Sequence, residues 1–312
     1  MSTSSIDQKF PDSLLDEMRT QQDPFADKAA AALFESMDSG GGRESAHKFI
    51  RSFVRKDFAE RLEDDESYQS YPQELKDYFR NYDEFNFTEE EFHLIDEGSR
   101  LYDAHGPACT LALAVRSLLK QYAHHQAVQV LRVTTLLQDH VNRRIMETMQ
   151  FVMDVMEPGW CEDHSSGRRL NQKHIGIQAI KKLRLVHAMV RYRIANGMYD
   201  TAEQGPWDDS WGKPINQEDM IFAVHTFSTE VLQGLEETGE KLTKEEKENY
   251  YQCWALIGRA LGVDQRLQPS NYEEGVALQD KIYARHFVKT DDPTGPNLAK
   301  ALTDWLEALL KP

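Results

Sequence analysis

Cysteine is scarce in this chain. Its three cysteines, Cys109, Cys161 and Cys253, lie far apart with no C-x-x-C pair, so neither a disulfide framework nor a zinc signature is present, and a reducing compartment is the natural setting. Positive charge is also short. Acidic residues outnumber basic ones 52 to 36, for a formal net charge of -16. Such a balance repels phosphate backbones and gives no basic patch for an anionic lipid surface, so no nucleic-acid partner is expected. No apolar run approaches the ~18 residues of a membrane span. The opening residues, MSTSSIDQKFPDSLL, lack a basic n-region and an apolar h-region, and the expectation is a cytoplasmic, unanchored protein. A Gly-rich phosphate loop, a nucleophile elbow and an H-E-x-x-H motif are all missing.

What the sequence does contain is helical periodicity. With 40% hydrophobic and 28% charged residues, the composition is that of a globular domain, and apolar positions recur at steps of three and four almost throughout. Asp23 before Pro24 opens one helix, expected to end at the glycines 40–42, and a charged helix is expected over 45–62. Thr88 with Glu91 forms a capping box for a helix reaching about Tyr102, and Gly106-Pro107 is expected to break the chain there. Helices follow over 108–122, 126–137 and 139–156. A polar loop over 160–171 precedes a long helix over 173–195. Asn216 caps a helix expected to run to Glu237, Thr243-x-x-Glu246 caps the next, and two more close the chain. A boundary near residue 60 would set residues 1–60 apart as a helical appendage on a core of 61–312.

Two constellations carry possible chemistry. Ile180, Leu183, His187, Val190 and Ile194 share one apolar helical face with His187 at its centre. A buried imidazole needs partners for its ring nitrogens. A backbone carbonyl is the commoner partner and an iron ion the alternative, and spacing leaves both open. Arg144, Thr148 and Phe151 form a second stripe, at i, i+4 and i+7. A buried arginine there calls for an anion, such as a propionate or a carboxylate substrate; Glu147 nearby, or simple exposure, would account for it equally well.

Four segments in order resemble a known family. W-G-K-P-I-N-Q-E-D-M-I from Trp211, followed by the helix carrying Thr226-Phe-Ser, is similar to the signature of the latex clearing protein (rubber oxygenase) and mpaB-type oxygenases. L-L-K-Q-Y-A from Leu118 through V-L-R-V-T-T from Val130, R-I-M-E-T from Arg144, and K-L-R-L-V-H-A-M-V-R from Lys182 to Arg191 resemble three further family stretches, over roughly residues 95–290. The resemblance implies an all-α fold, a single large multi-helix domain enclosing a haem pocket. It implies haem b as cofactor, His187 as the axial iron ligand, and Arg144, Thr148 and Arg191 as cofactor-binding neighbours. It further implies dioxygen as co-substrate.

This sequence departs from the family where a lysine can stand before the motif threonine; the residue here is Glu147. The expectation is therefore a distal acid–base role for Glu147 beside Arg144 and Thr148, or a pairing of Glu147 with Arg144. A small hydrophobic, terpenoid-like substrate is expected rather than a polymer, in a cavity lined by Phe151, Met149, Met153 and Phe227. The alternatives are a non-catalytic helical haem- or lipid-binding protein and a peroxide-using haem enzyme. A di-iron reading of Glu44-x-x-His47 and Glu90-x-x-His93 is set aside because the second motif lies on an acidic, solvated face. His124, His125 and His174 are expected at the surface or in loops, and His225 in the core.

Overall fold

The computed structural model describes residues 3–38, 68–134, 141–165, 167–199 and 205–310. The expected helix over 45–62, the glycine run, the Glu44/His47 motif and the boundary near residue 60 lie outside them. The architecture is all-helical apart from one small hairpin. In chain order the helices are α1 (Thr3–Lys9), α2 (Asp12–Met18), α3 (Pro24–Asp38), α4 (Gln73–Glu84), α5 (Glu89–Ala112), α6 (Leu118–Ala123), α7 (Gln129–Val133) and α8 (Val141–Met156). Strands β1 (Cys161–His164) and β2 (Gly167–Leu170) follow. The remaining helices are α9 (Ile175–Ala195), α10 (Gln217–Phe227), α11 (Thr229–Glu237), α12 (Lys244–Ala260), α13 (Tyr272–His286) and α14 (Thr294–Leu310).

The predicted caps do their work. Glu91 N–H donates to Thr88 Oγ1 at 3.2 Å while Glu91 Oε2 accepts from Thr88 N–H at 2.8 Å, closing the capping box of α5. Asn216 Oδ1 accepts from Asp219 N–H at 3.0 Å, and Thr243 with Glu246 repeats the box at α12. Pro107 does not end α5. The helix bends at His105 (φ −124°, ψ 17°), which relieves the clash of the proline ring with the preceding turn, and then continues. Beyond Ala112 the ladder widens into a π turn, Leu113–Ser117, before α6 resumes the ordinary helical spacing.

α5 and α12 form the central pair of the core. Gly98 sits at their crossing, where a Cβ would fall 2.4 Å from the Cys253 Cβ, so only glycine admits this approach. Tyr250, Tyr251, Cys253, Trp254 and Ile257 bury the inner face of α12. α3 and α8 pack along α9 and complete the wall around it. Phe10, just after α1, and Leu15, Met18 and Leu33 of α2 and α3 belong to the same continuous core as Leu185 and Ala188 of α9.

Three further local features differ from the sequence expectation. The polar loop is a β-hairpin, with Cys161 opposite Leu170 and His164 opposite Gly167. Its residues have little strand propensity. It is fastened from outside, where Asn86 and Glu89 accept from the backbone of Leu170 and Arg168 at 2.9 Å, and Arg168 pairs with Asp96. The helix from Asn216 breaks at Ser228 (φ −107°, ψ −81°) because the hydroxyls of Thr226, Ser228 and Thr229 bond back to the carbonyls of Ala223, Val224 and His225. Finally, His174 and His124 stand at loop positions, as expected, but neither is at the surface: His174 is buried as the N-cap of α9, accepting from Gly176 N–H at 3.1 Å, and His124 is buried too. Among the described residues no helix is long and apolar enough to cross a membrane.

Candidate functional site

α9 carries the predicted stripe as drawn: Ile180 and Ile194 are buried, Leu183 and Val190 half-buried, and His187 stands at the centre. His187 Nδ1 is buried and has no hydrogen-bond partner. Burial, followed by the positive charges of Arg191 and Arg144, pushes the imidazole down to about 3 despite an opposing pull from Asp23. The ring is therefore neutral at physiological pH, with a free lone pair. The carbonyl partner that a core histidine requires is not present among the described residues.

Charged residues fence this histidine. Arg184, Arg191, Asp23 and Gln217 line a crevice at His187 too narrow to admit water, floored by Met220 and Leu261. Arg184 donates through Nε and Nη2 to both carboxylate oxygens of Asp23, the second at 3.0 Å. Arg191 donates through Nε to Asp27 Oδ1 at 2.6 Å, while its Nη2 is buried without a partner. Gly262 (φ +90°) lets the chain pass close to the Asp23–Arg184 pair; a Cβ there would meet Asp23 Oδ2 at 2.6 Å.

The aspartates arrive from the N-terminal segment, which the Trp211 signature holds in place. Lys213 N–H donates to Arg19 carbonyl at 2.9 Å, Gln217 N–H to Gln21 carbonyl at 3.0 Å, and Gln22 Nε2 to Pro214 carbonyl at 2.8 Å. Ile215, between these contacts, adopts φ 50°, a left-handed conformation that is costly for a β-branched residue. Asp23 and Asp27 were not among the sequence candidates. Asp23 has a local signature only as a cap, and nothing near it in sequence announces a partner 161 residues away.

On α8 the two faces separate. Arg144 is half-buried, its guanidinium pKa lowered by burial, and it makes no ion pair among the described residues. Thr148 lies one turn further on, also half-buried. Glu147 does not pair with Arg144. Its side chain, 59% exposed, accepts from Arg143 Nε at 2.8 Å on the solvent side. This i, i+4 geometry is the ordinary surface pairing of a helix and gives Glu147 no access to the crevice.

A second cavity, of about 220 Å³, opens on another face of α8. Met149, Met153 and Phe227 line it as expected, joined by Met146, while Phe151 packs into the core instead. His225 is core, 0% exposed, with both ring nitrogens unpartnered and its imidazole pushed down to about 3 by burial alone. His93 is solvent-exposed beside Glu97, in keeping with a solvated acidic face.

A buried charge cluster lies where α10, α13 and α2 meet. Glu218, 0% exposed, accepts from Arg19 Nη1 at 3.0 Å and Arg285 Nε at 3.0 Å, and sits 2.9 Å from His286 Nε2. Burial pushes this carboxyl up, but the hydrogen bond from His286 and the guanidinium groups of Arg19 and Arg285 outweigh it and hold the group below its ordinary range. Next to it, burial pushes Asp219 up to about 7.

Residues 102–311 match the model of the family described as the ER-bound oxygenase mpaB/B'/rubber oxygenase, catalytic domain. Among solved structures, that of latex clearing protein in its closed state superposes with a TM-score of 0.68 at 18% identity, over 94% of this chain and 71% of that one. No curated protein matches the sequence. The family match covers more than half of the chain, and with the helical fold in agreement, the protein belongs to the mpaB/rubber oxygenase family of oxygenases.

Proposed function

We propose that the protein is a b-type haem-dependent oxygenase acting with dioxygen on a small hydrophobic substrate, with His187 as the residue that would hold the iron. The observation that carries this reading is the state of His187: neutral, and with Nδ1 buried and unpartnered on an apolar helical face. The donor set suits the cofactor. A neutral imidazole supplies the lone pair a ferric or ferrous ion takes. Arg144, without an ion-pair partner among the described residues, and the unused Nη2 of Arg191 supply cationic donors for two carboxylates. When bound, haem supplies the binding and activation of dioxygen.

The remaining roles belong to the chain. Met220 and Leu261 close the floor of the crevice at His187 against water. Asp27 fixes the Arg191 guanidinium through Nε, leaving its other end free to donate. Asp23 holds Arg184 in the same way and partly offsets the positive field at His187. Thr148 brings a hydroxyl one turn from Arg144, while Glu147 stays with solvent and takes no part. The crevice is narrower than a macrocycle, so the helices around His187 have to part for one to enter.

The test is an absorption spectrum of protein produced with ample haem precursor, beside His187→Ala. A Soret band in the parent, lost or shifted in the variant, is the expected result. A parent that binds no haem and cannot be reconstituted with it defeats the reading. A haem or lipid carrier without turnover is the reading that the second, apolar cavity favours, and dioxygen consumption on adding reductant and substrate separates the two.

A further inference from the structure

The 220 Å³ cavity beside α8 has an entrance and a chemistry of its own. Met146 and Met153 line it and yet are 57% and 46% exposed, so the mouth lies between them. They stand seven residues apart on one helix, about 10 Å along its axis. Met149, Val152, Phe227 and Val231 add to the apolar lining, and Tyr102 and Thr110 bring hydroxyls to it. None of the lining side chains carries a formal charge at neutral pH. The Cys109 thiol is pushed up to about 12 by burial and remains protonated. The Tyr250 hydroxyl already donates to the Phe227 carbonyl at 3.3 Å.

The wall is also built around a local irregularity. Leu113, which lines the cavity, is the first residue of the π turn that interrupts the α5–α6 rod. Such single-turn insertions displace a helix face outward by part of a residue, and they concentrate at binding sites. Methionines suit the same task, since an unbranched thioether adapts to an irregular apolar guest.

We propose that this cavity binds one compact, uncharged hydrocarbon molecule of about nine carbons, entering between Met146 and Met153. The size follows by proportion from an apolar cavity of about 150 Å³, which accepts benzene. Carboxylates and phosphates are excluded because the lining offers no cation, and a long polyisoprenoid because the space is short. Calling this guest the oxygenase substrate rests on the reading above; occupancy of the cavity does not.

The experiment measures binding of limonene, octanoate and squalene to the purified parent, His187→Ala, Val231→Phe and Met146→Glu by calorimetry and thermal shift. Val231→Phe fills the cavity; Met146→Glu puts charge at an exposed mouth where folding is not at stake. Limonene is expected to bind once per chain, to raise the melting midpoint, and to do so equally in parent and His187→Ala. Octanoate and squalene should bind at least about tenfold more weakly, and both cavity variants should weaken limonene by a similar factor. Failure of the folded parent to bind limonene overturns the proposal, as does undiminished binding in Met146→Glu and folded Val231→Phe. Loss confined to His187→Ala overturns it as well, because the guest would then sit at His187. Squalene binding as tightly as limonene overturns the size limit. Intact limonene binding in a protein that takes up no haem leaves the cavity assignment standing and removes only the oxygenase reading.

Discussion

The imidazole rings of His124 and His286 are stacked, 4.3 Å between centroids with 20° between planes. Burial, and then the neighbouring His286, hold the His124 imidazole well below its ordinary range, and each ring faces a different carboxylate: His286 meets Glu218 at 2.9 Å, and His124 lies 3.8 Å from Asp219. The stack joins the end of α6 to the end of α13, above the N-terminal turn of α10.

Glu218 is the hub of that arrangement. Glu218→Ala leaves Arg19, which is buried, without its closest carboxylate, removes the carboxylate beside His286, and leaves Arg285 with only Asp12 and Asp16. Removing one member of a buried ion-pair network costs about 3–5 kcal/mol. Urea denaturation of parent and variant measures it, and a loss below about 1 kcal/mol would show that the cluster contributes little.

Stability should fall on acidification below about pH 6.5. His124, His174, His187 and His225 all have depressed pKa values, burial being the largest cause in each. In the unfolded chain these rings take protons near pH 6.5, whereas the folded protein refuses them until much lower. The unfolded state thus binds more protons in that interval, and the stability present above pH 6.5 is lost as pH drops through it. Asp219, raised to about 7, and Asp27 and Asp280, also raised, act in the opposite sense: their contribution is present below about pH 4 and lost as pH rises through their folded values. Four histidines outweigh three aspartates. Melting midpoints between pH 7.5 and 5 check the sign; a midpoint that rises toward acid contradicts it.

His225 offers a cleaner case. Both its nitrogens are buried without partners, so replacing the ring by one of similar shape and no polar atoms removes a desolvation cost and breaks no hydrogen bond. His225→Phe is expected to match or exceed the parent in stability and to flatten the acid slope. Destabilisation above about 2 kcal/mol would mean that overpacking outweighs the removed cost.

Arg144 and Glu147 should separate sharply despite their proximity in sequence. Under the haem reading, Arg144→Gln lowers the haem-to-protein ratio after purification without a large loss of stability, since no ion pair among the described residues is broken. Glu147→Gln disturbs only an exposed i, i+4 pair, worth under about 0.5 kcal/mol, and leaves haem content unchanged. Equal haem loss in both variants would return Glu147 to the pocket.

The parts legible in the sequence are those with local causes. Caps at Asp23, Thr88, Asn216 and Thr243, and the stripe centred on His187, follow from spacing and side-chain chemistry within a turn or two. The hairpin 161–170 was not legible because its support comes from Asn86, Glu89 and Asp96 on another element. The break at Ser228 depends on hydroxyls choosing helix carbonyls over solvent, a choice that composition alone does not settle. Least legible was the fence around His187. Arg184 and Arg191 sit one turn either side of it, as lysines and arginines on surface helices commonly do. Only the fold brings Asp23 and Asp27 against them.

That fence has a consequence for the order of folding. Asp23 and Arg184 are separated by 161 residues, Asp27 and Arg191 by 164, and Arg19 and Glu218 by 199. Contacts of such span are closed late, after the loop entropy of half the chain has been overcome. During synthesis, residues 19–27 emerge long before any of these partners exist. A chain halted ahead of α9 therefore carries N-terminal charges with no counter-charges, and the surroundings of His187 are completed only when the first helices return to a helix made more than 150 residues later.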